Sequence, residues 1–337
     1  MRSTRLDAIN MDKQPNEREP QTMIISVVLC TYNRCQSLQR ALDSAAALVL
    51  PESVEWEILV VDNNSSDRTR ETVESFCSRY PGRFRYLFEP QQGKSYALNA
   101  GIRAARGDVL AFMDDDVTLD PDWLWNLTVN LHTDEWAGAG GRILPKWNCP
   151  PPRWLSPDSP HAAGPLVAFH PRAEAGQLHE PPIGTNMAFR KTMFEKYGGF
   201  RVDLGPSPGS EIRCEDTEFG RRLLVAGERM RYEPLALVYH PVTENRIQKE
   251  YFLAWWFDKA RGDMRVNGVP PGTKYYVAGI PMYLIRRLTV WTLRWMVTVD
   301  PVQRFTSKLN AWGNAGEILE CYHQSQLAEK RTRDCRA

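Results

Sequence analysis

Residues 109–116 read VLAFMDDD, five apolar residues running straight into three aspartates. The apolar run has the length and composition of a strand buried on both faces of a sheet. Three like charges in succession raise one another's pKa, so they persist together where cations, or a ligand's metal and phosphates, offset them. Hard oxygen donors of this kind suit Mg²⁺ or Mn²⁺. A helix N-cap with its first turn would use the same residues, and Asp120-Pro121-Asp122 follows as a second acidic turn. Alone, the triplet leaves both readings open.

Upstream, the pattern repeats. Ile24 to Leu29 (IISVVL) reads as a buried strand that ends at Thr31-Tyr32-Asn33. Arg34 to Leu48 then carries Leu38, Leu42, Ala45 and Leu48 at helical spacing before Pro51. Trp56 to Val61 predicts a second strand, ending in Asp62 and a run of short polar residues that suits a turn and a helix reaching about Arg79. Phe84 to Phe88 reads as a strand and Lys94 to Ala105 as a helix. Strand and helix alternate up to the triplet, which predicts an α/β fold with a parallel, helix-covered sheet. Such sheets bind ligands beyond the carboxyl ends of their strands. Thr31, Tyr32, Asp62 and the aspartates should therefore share one edge.

Downstream the pattern loosens. A helix over 121–132 and a strand over 137–143 are expected, but residues 145–182 hold ten of the 24 prolines and no clear period. Beyond them a strand over 186–189, a helix over 214–226, a strand over 235–239 ending at His240 and a helix over 246–261 are expected. The stretch 276–299 is apolar, but Arg286, Arg287 and Arg294 interrupt it, whereas a membrane span needs about 20 apolar residues. It reads either as an amphipathic helix on a membrane surface, with Trp291 and Trp295 as anchors, or as a helix packed on the domain.

Composition narrows the classes. With 42 Lys+Arg against 41 Asp+Glu among 337 residues, bulk charge argues against a nucleic-acid partner. The 42% hydrophobic content suits a globular chain. Seven scattered cysteines without a Cys-x-x-Cys pair indicate neither a zinc site nor a disulfide framework, and so a reducing compartment, the cytoplasm. Residues 1–22 are polar without an apolar signal core and read as a mobile leader. Ten of the eleven tryptophans lie from Trp123 onward, and aromatic faces of this kind stack on sugar rings or anchor at lipid interfaces.

SVVLCTYNR (26–34), ILVVDNNSSDRT (58–69), GKSYALNAGIRAARGD (93–108), LAFMDDDV (110–117) and CEDTEF (214–219) occur in order, and together they resemble the family 2 glycosyltransferases of GT-A fold. The resemblance covers about residues 23–260. It implies a nucleotide half (23–120) and an acceptor half (121–265) of one GT-A domain, followed by a helical extension over 266–337. It further implies that Thr31, Tyr32 and Asp62 hold base and ribose, and a carboxylate that accepts a ring N–H favours a UDP-sugar. Arg34 and Lys94 would meet the diphosphate charge, with Asn99 hydrogen-bonding nearby. The triplet matches the family's DxD motif, with Asp114 or Asp115 toward the ribose and Asp116 as metal ligand. His240 resembles a position that completes the metal shell in some members, although a lone histidine is as readily structural. Asp216 matches the catalytic base, with Glu215 beside it as an acceptor. The implied activity is inverting transfer of one sugar to a hydroxyl acceptor, since the Gln-x-x-Arg-Trp signature of processive members is missing: Gln248 is followed by Lys249-Glu250-Tyr251.

Two other classes compete. A nucleotidyltransferase would place a Gly-rich phosphate loop after the first strand, where this chain has CTYNRCQSL. A nucleotide-sugar binding module without catalysis would not need Glu215-Asp216. Surface attachment at the inner face of the membrane, through residues 276–299, stays open beside a purely cytoplasmic location.

Overall fold

The computed structural model describes residues 23–155 and 161–334; the leader at 1–22 lies outside the described residues. Strand β1 (Ile24–Thr31), helix α1 (Cys35–Ala46), β2 (Glu55–Asp62), α2 (Thr69–Arg79), β3 (Phe84–Phe88), α3 (Lys94–Ala104) and β4 (Val109–Met113) alternate as expected. A short β5 (Thr118–Leu119), α4 (Trp123–Thr128) and β6 (Gly138–Trp147) follow, then α5 (Ala163–Leu166), β7 (Gly176–Leu178) and β8 (Met187–Arg190). After α6 (Lys191–Tyr197) and α7 (Glu215–Val225) come β9 (Met230–Val242) and α8 (Lys249–Asn267). The hairpin β10 (Tyr276–Val277) and β11 (Ile280–Pro281) leads to α9 (Met282–Val297) and the long α10 (Pro301–Asp334).

Nine strands form one sheet in the order β3-β2-β1-β4-β8-β6-β9-β5, with β7 on β9. The first four strands are parallel. β8 enters antiparallel between β4 and β6, and β6 runs parallel to β9. Two apolar layers cover the first half: Leu38, Leu42, Val73 and Phe76 on one face, Ala97, Leu98, Phe112 and Phe219 on the other. Both faces of the central strands are dry, and this is why their sequences are apolar without alternation.

One buried acid ties these layers together. Glu57 on β2 accepts from Ser26 Oγ (2.8 Å), Arg85 Nη1 (2.7 Å) and the Arg106 N–H (2.9 Å). Burial alone would raise its pKa, but these donors outweigh it and lower it below the usual carboxylate value.

The C-terminal extension packs on the domain rather than standing apart. Phe305 and Leu309 of α10 join Leu155, Leu166, Val242, Phe252 and Leu253 in one apolar cluster. Helix α8 spans Lys249–Asn267 where 246–261 was expected, and so runs two residues past the expected domain boundary at 265. The proline-rich stretch 145–182 contains α5 and β7 despite showing no period, because its order comes from packing on β9 and α8.

Candidate active site

Strand register assembles the first wall. Thr31 and Asp62 are paired residues at the ends of β1 and β2, and Leu29 pairs with Met113, which two residues further on sets Asp115 level with Thr31. Thr31 Oγ1 donates to Asp115 Oδ2 at 2.8 Å. Asp62 accepts from Tyr86 Oη (2.9 Å) and the Ser65 N–H (2.9 Å), which locks the turn after β2. Asn33, in the left-handed region at φ 51°, accepts from the Ser66 N–H at 2.7 Å and joins the turns after β1 and β2. Tyr32 is exposed beside them, free to meet a ligand.

The three aspartates have three environments. Asp114 receives Lys94 Nζ at 3.1 Å and the Thr185 hydroxyl. Its burial opposes ionisation, yet Lys94 outweighs it and holds the carboxyl far below its ordinary pKa. Asp115, also buried, is pushed up to about 6 by desolvation and by neighbouring Asp116, against the pull of Arg34. Asp116 accepts from Arg34 Nη1 (3.3 Å) and Arg246 Nη2 (3.2 Å), and His240 Nε2 stands 3.5 Å from its Oδ1. Burial first, with Arg246 adding to it and Asp116 opposing, depresses His240 to about 4, so its imidazole is neutral at pH 7. A neutral imidazole beside a carboxylate is a competent pair of metal ligands.

The opposite wall comes from the acceptor half. Glu215 is buried at the start of α7 and lies 3.3 Å from Lys94 Nζ, so one lysine bridges Asp114 and Glu215. Burial opposes the Lys94 charge, but Asp114, Glu215 and Asp216 outweigh it and raise the lysine well above its ordinary value. Asp216 accepts from the Gly184 N–H at 2.6 Å and the Thr217 N–H at 2.7 Å. Cys30, Lys94, Asp114, Gly184, Glu215 and Asp216 line one small pocket.

Gly184 is required there by close approach: a Cβ would stand 2.9 Å from Asp216 Oδ2. The buried Asn186 fixes that turn, accepting from Trp123 Nε1 (2.8 Å) and donating to the Ala236 carbonyl (2.8 Å). Cys214, which precedes α7, adopts φ 88°, a left-handed conformation uncommon for a residue with a side chain. This strained turn aims Glu215 and Asp216 back at the cleft.

Most sequence-derived candidates converge on this cleft. Asn99 is engaged on its other side: its Oδ1 accepts from the Phe200 N–H (2.9 Å) and its Nδ2 donates to the Phe200 carbonyl (2.8 Å). Both polar ends are engaged in anchoring the 199–206 loop over α3. Lys249 lies over Trp154 and Phe305, and Trp256 packs edge-on against His161. Arg246 does reach Asp116. Gly184 and Thr185 escaped the sequence reading; the signal was a Gly-Thr-Asn triplet directly before a short strand, which periodicity does not register.

No three His, Cys, Asp or Glu side chains converge on one metal position among the described residues. Asp116 and His240 would supply two ligands. That number fits a Mg²⁺- or Mn²⁺-type ion whose other positions are filled by substrate phosphates and water. Asp114 and Asp115 are engaged by Lys94, Thr185, Thr31 and Arg34 instead.

A parallel half-sheet, an antiparallel insertion at β8 and a carboxylate cluster at the strand ends define a GT-A fold. A mannosyltransferase of Pyrobaculum calidifontis, solved with GDP-Man and Mn²⁺, superposes with TM-score 0.60 over 90% of this chain and 89% of its own, at 19% identity. GalNAc-T7, solved with UDP, GalNAc and Mn²⁺, superposes with TM-score 0.53 over 75% of this chain and 53% of its own, at 16% identity. The family model for glycosyl transferase family 2 matches residues 26–198, and the chain belongs to that family. The succinoglycan biosynthesis protein ExoM of Rhizobium meliloti is 31% identical over 242 residues, 72% of each chain. A glucosyl-dolichyl phosphate glucuronosyltransferase of Haloferax volcanii is 27% identical over 242 residues, 69% of this chain and 75% of its own. The protein is thus a glycosyltransferase.

Proposed function

We propose that the protein transfers one sugar from a nucleoside-diphosphate sugar, a UDP-sugar by preference, to an acceptor hydroxyl with inversion, and that Asp216 is the general base. The observation that carries this reading is the Lys94 bridge, which joins Asp114 of the triplet to Glu215 across the pocket that both line with Asp216. Tyr32 and Asp62 stand where base and ribose would lie, and Arg34, Lys94 and Arg246 are the cations available to the diphosphate. Asp116 and His240 would hold the divalent metal, which when bound neutralises charge developing on the leaving diphosphate.

Asp216 accepts the acceptor's hydroxyl proton as the new oxygen–carbon bond forms and the anomeric carbon–phosphate oxygen bond breaks; the nucleoside diphosphate leaves. The two N–H donors on Asp216 fix its orientation. Burial chiefly raises the Cys30 thiol pKa and keeps it protonated, so the pocket's cysteine offers no nucleophile for a two-step route. A single displacement inverts the anomeric centre. The acceptor is a glycan, a lipid-linked glycan or a small molecule. Among the described residues no helix is long and apolar enough to cross a membrane, and this reading favours the cytoplasm or attachment to the inner membrane surface.

Incubation with a panel of UDP-sugars and GDP-mannose, with Mn²⁺ and acceptor extracts, tests the reading through nucleoside diphosphate release. One donor should turn over. Asp216→Asn should bind that donor normally and lose about 10²–10⁴-fold in transfer. Absence of release with every donor, or unchanged transfer in the variant, refutes the proposal in its activity or in its base, respectively.

A further inference from the structure

Helix α9 has two unlike faces. Leu284 is buried against Met264 and Cys321, with Tyr283 and Ile318 alongside, and Trp295 meets Trp312 of α10 edge-on at 5.9 Å with Lys308 over both rings. These contacts hold α9 to α10. Trp295, one of the two side chains that the membrane-surface reading would use as anchors, is therefore turned toward the neighbouring helix. The other face carries Met282, Val290, Leu293, Met296 and Val297 at helical spacing around Arg286, and all of them are exposed.

The exposed apolar surface continues past both ends of the helix. Tyr275, Tyr276 and Val277 protrude at the hairpin, and Val299, 92% exposed, and Val302 lie beyond α9. Of the twenty large hydrophobic side chains exposed among the described residues, ten lie within 275–302. Soluble monomers rarely concentrate apolar surface in this way without a partner.

Charge indicates which partner. Residues 274–316 contain Lys274, Arg286, Arg287, Arg294, Arg304 and Lys308, against a single acid, Asp300. Arg287 is engaged by Glu317 at 3.4 Å, while Lys274, Arg286, Arg294 and Arg304 are exposed. Aliphatic side chains interleaved with cations, and flanking tyrosines at headgroup depth, match an anionic lipid surface. A second copy of this chain would bring the same cations face to face and be repelled.

We infer that the hairpin 276–281 and the outer face of α9 dock on an anionic lipid bilayer, with the aliphatic side chains entering the acyl boundary and Lys274 and Arg286 meeting the headgroup charge. Docking stands apart from the transfer chemistry, since neither the donor nor the pocket takes part. It holds the enzyme against a membrane without a spanning helix and restricts its search for acceptors to that plane.

Co-sedimentation of the full chain with vesicles, in the absence of donor, tests the inference. Phosphatidylcholine vesicles containing about a third phosphatidylglycerol should bind the protein, and pure phosphatidylcholine vesicles should bind it far less. Lys274→Glu with Arg286→Glu should weaken binding to the anionic vesicles at least about thirty-fold, the contribution of two basic side chains near such a surface. Leu293→Glu with Met296→Glu should abolish it. All four side chains are exposed, so circular dichroism melts should match the wild type. Wild-type protein that ignores both vesicles, or variants that bind as the wild type does, overturns the inference. So does sedimentation velocity showing a dimer that the Leu293/Met296 variant dissolves while no vesicle binding occurs.

Discussion

The two walls of the cleft are built by different means. The wall at residues 31–116 is made by register: parallel strands of matched length end together, and Thr31, Asp62 and the aspartates come out side by side. The wall at residues 184–216 is made by close approach, through a glycine without room for a methyl group, a buried asparagine and a left-handed turn at Cys214. On the register wall, each side chain makes its own contact and its removal should cost only that contact. On the other wall, position depends on empty space, so adding an atom should do more harm than removing one.

Substitutions can break this contrast. Asp116→Ala should lower the Mn²⁺-dependent part of UDP affinity on the order of a hundredfold, because the carboxylate beside His240 is lost while Arg34 and Arg246 remain for the diphosphate. Calorimetric titration of UDP with and without Mn²⁺ reads it, and unchanged metal dependence would remove Asp116 as a ligand. Gly184→Ala should reduce kcat by up to about a hundredfold with UDP affinity intact, since displacing the base by a fraction of an ångström spoils the attack geometry. An equal fall in UDP affinity would mean that the two walls are not separable in this way.

Two further changes sharpen the contrast through stability. Glu57→Gln, beneath the register wall, should cost about 2 kcal/mol at neutral pH, the scale of hydrogen bonds to a charged group. The Glu57 pKa is lowered in the folded state, so its contribution is present above the unfolded value of about 4.3 and is lost as the pH falls through the folded one. Urea unfolding followed from pH 7 down to pH 3 should show the wild type converging on the variant. Asn99→Ala should cost about 1–2 kcal/mol by releasing the Phe200 backbone, with UDP affinity preserved. A selective loss of UDP affinity would return Asn99 to the diphosphate.

Legibility in the sequence followed the same division. The elements up to Met113 could be bounded within a residue or two, because a strand buried on both faces must be apolar throughout and its ligand-facing end must be polar. Asp216, Glu215 and His240 were legible only through resemblance; nothing periodic marks them. The Asn99 bonds to Phe200 were not legible, because its motif lies in a helix whose neighbour, a loop a hundred residues away, cannot be inferred from local pattern. The tail was readable as amphipathic, but not which of its faces would be covered.

The sequence by itself determined the parallel half of the sheet, the edge on which its carboxylates gather and the family of the chain, since these follow from local apolar runs and short ordered motifs. Tertiary structure alone decided that Lys94 joins Asp114 to Glu215, that Gly184 must lack a side chain and that Trp295 of the tail turns toward α10. Each of these depends on groups far apart in the chain coming within a few ångströms, and the space and charge available at such a meeting are set by packing, which no single segment encodes.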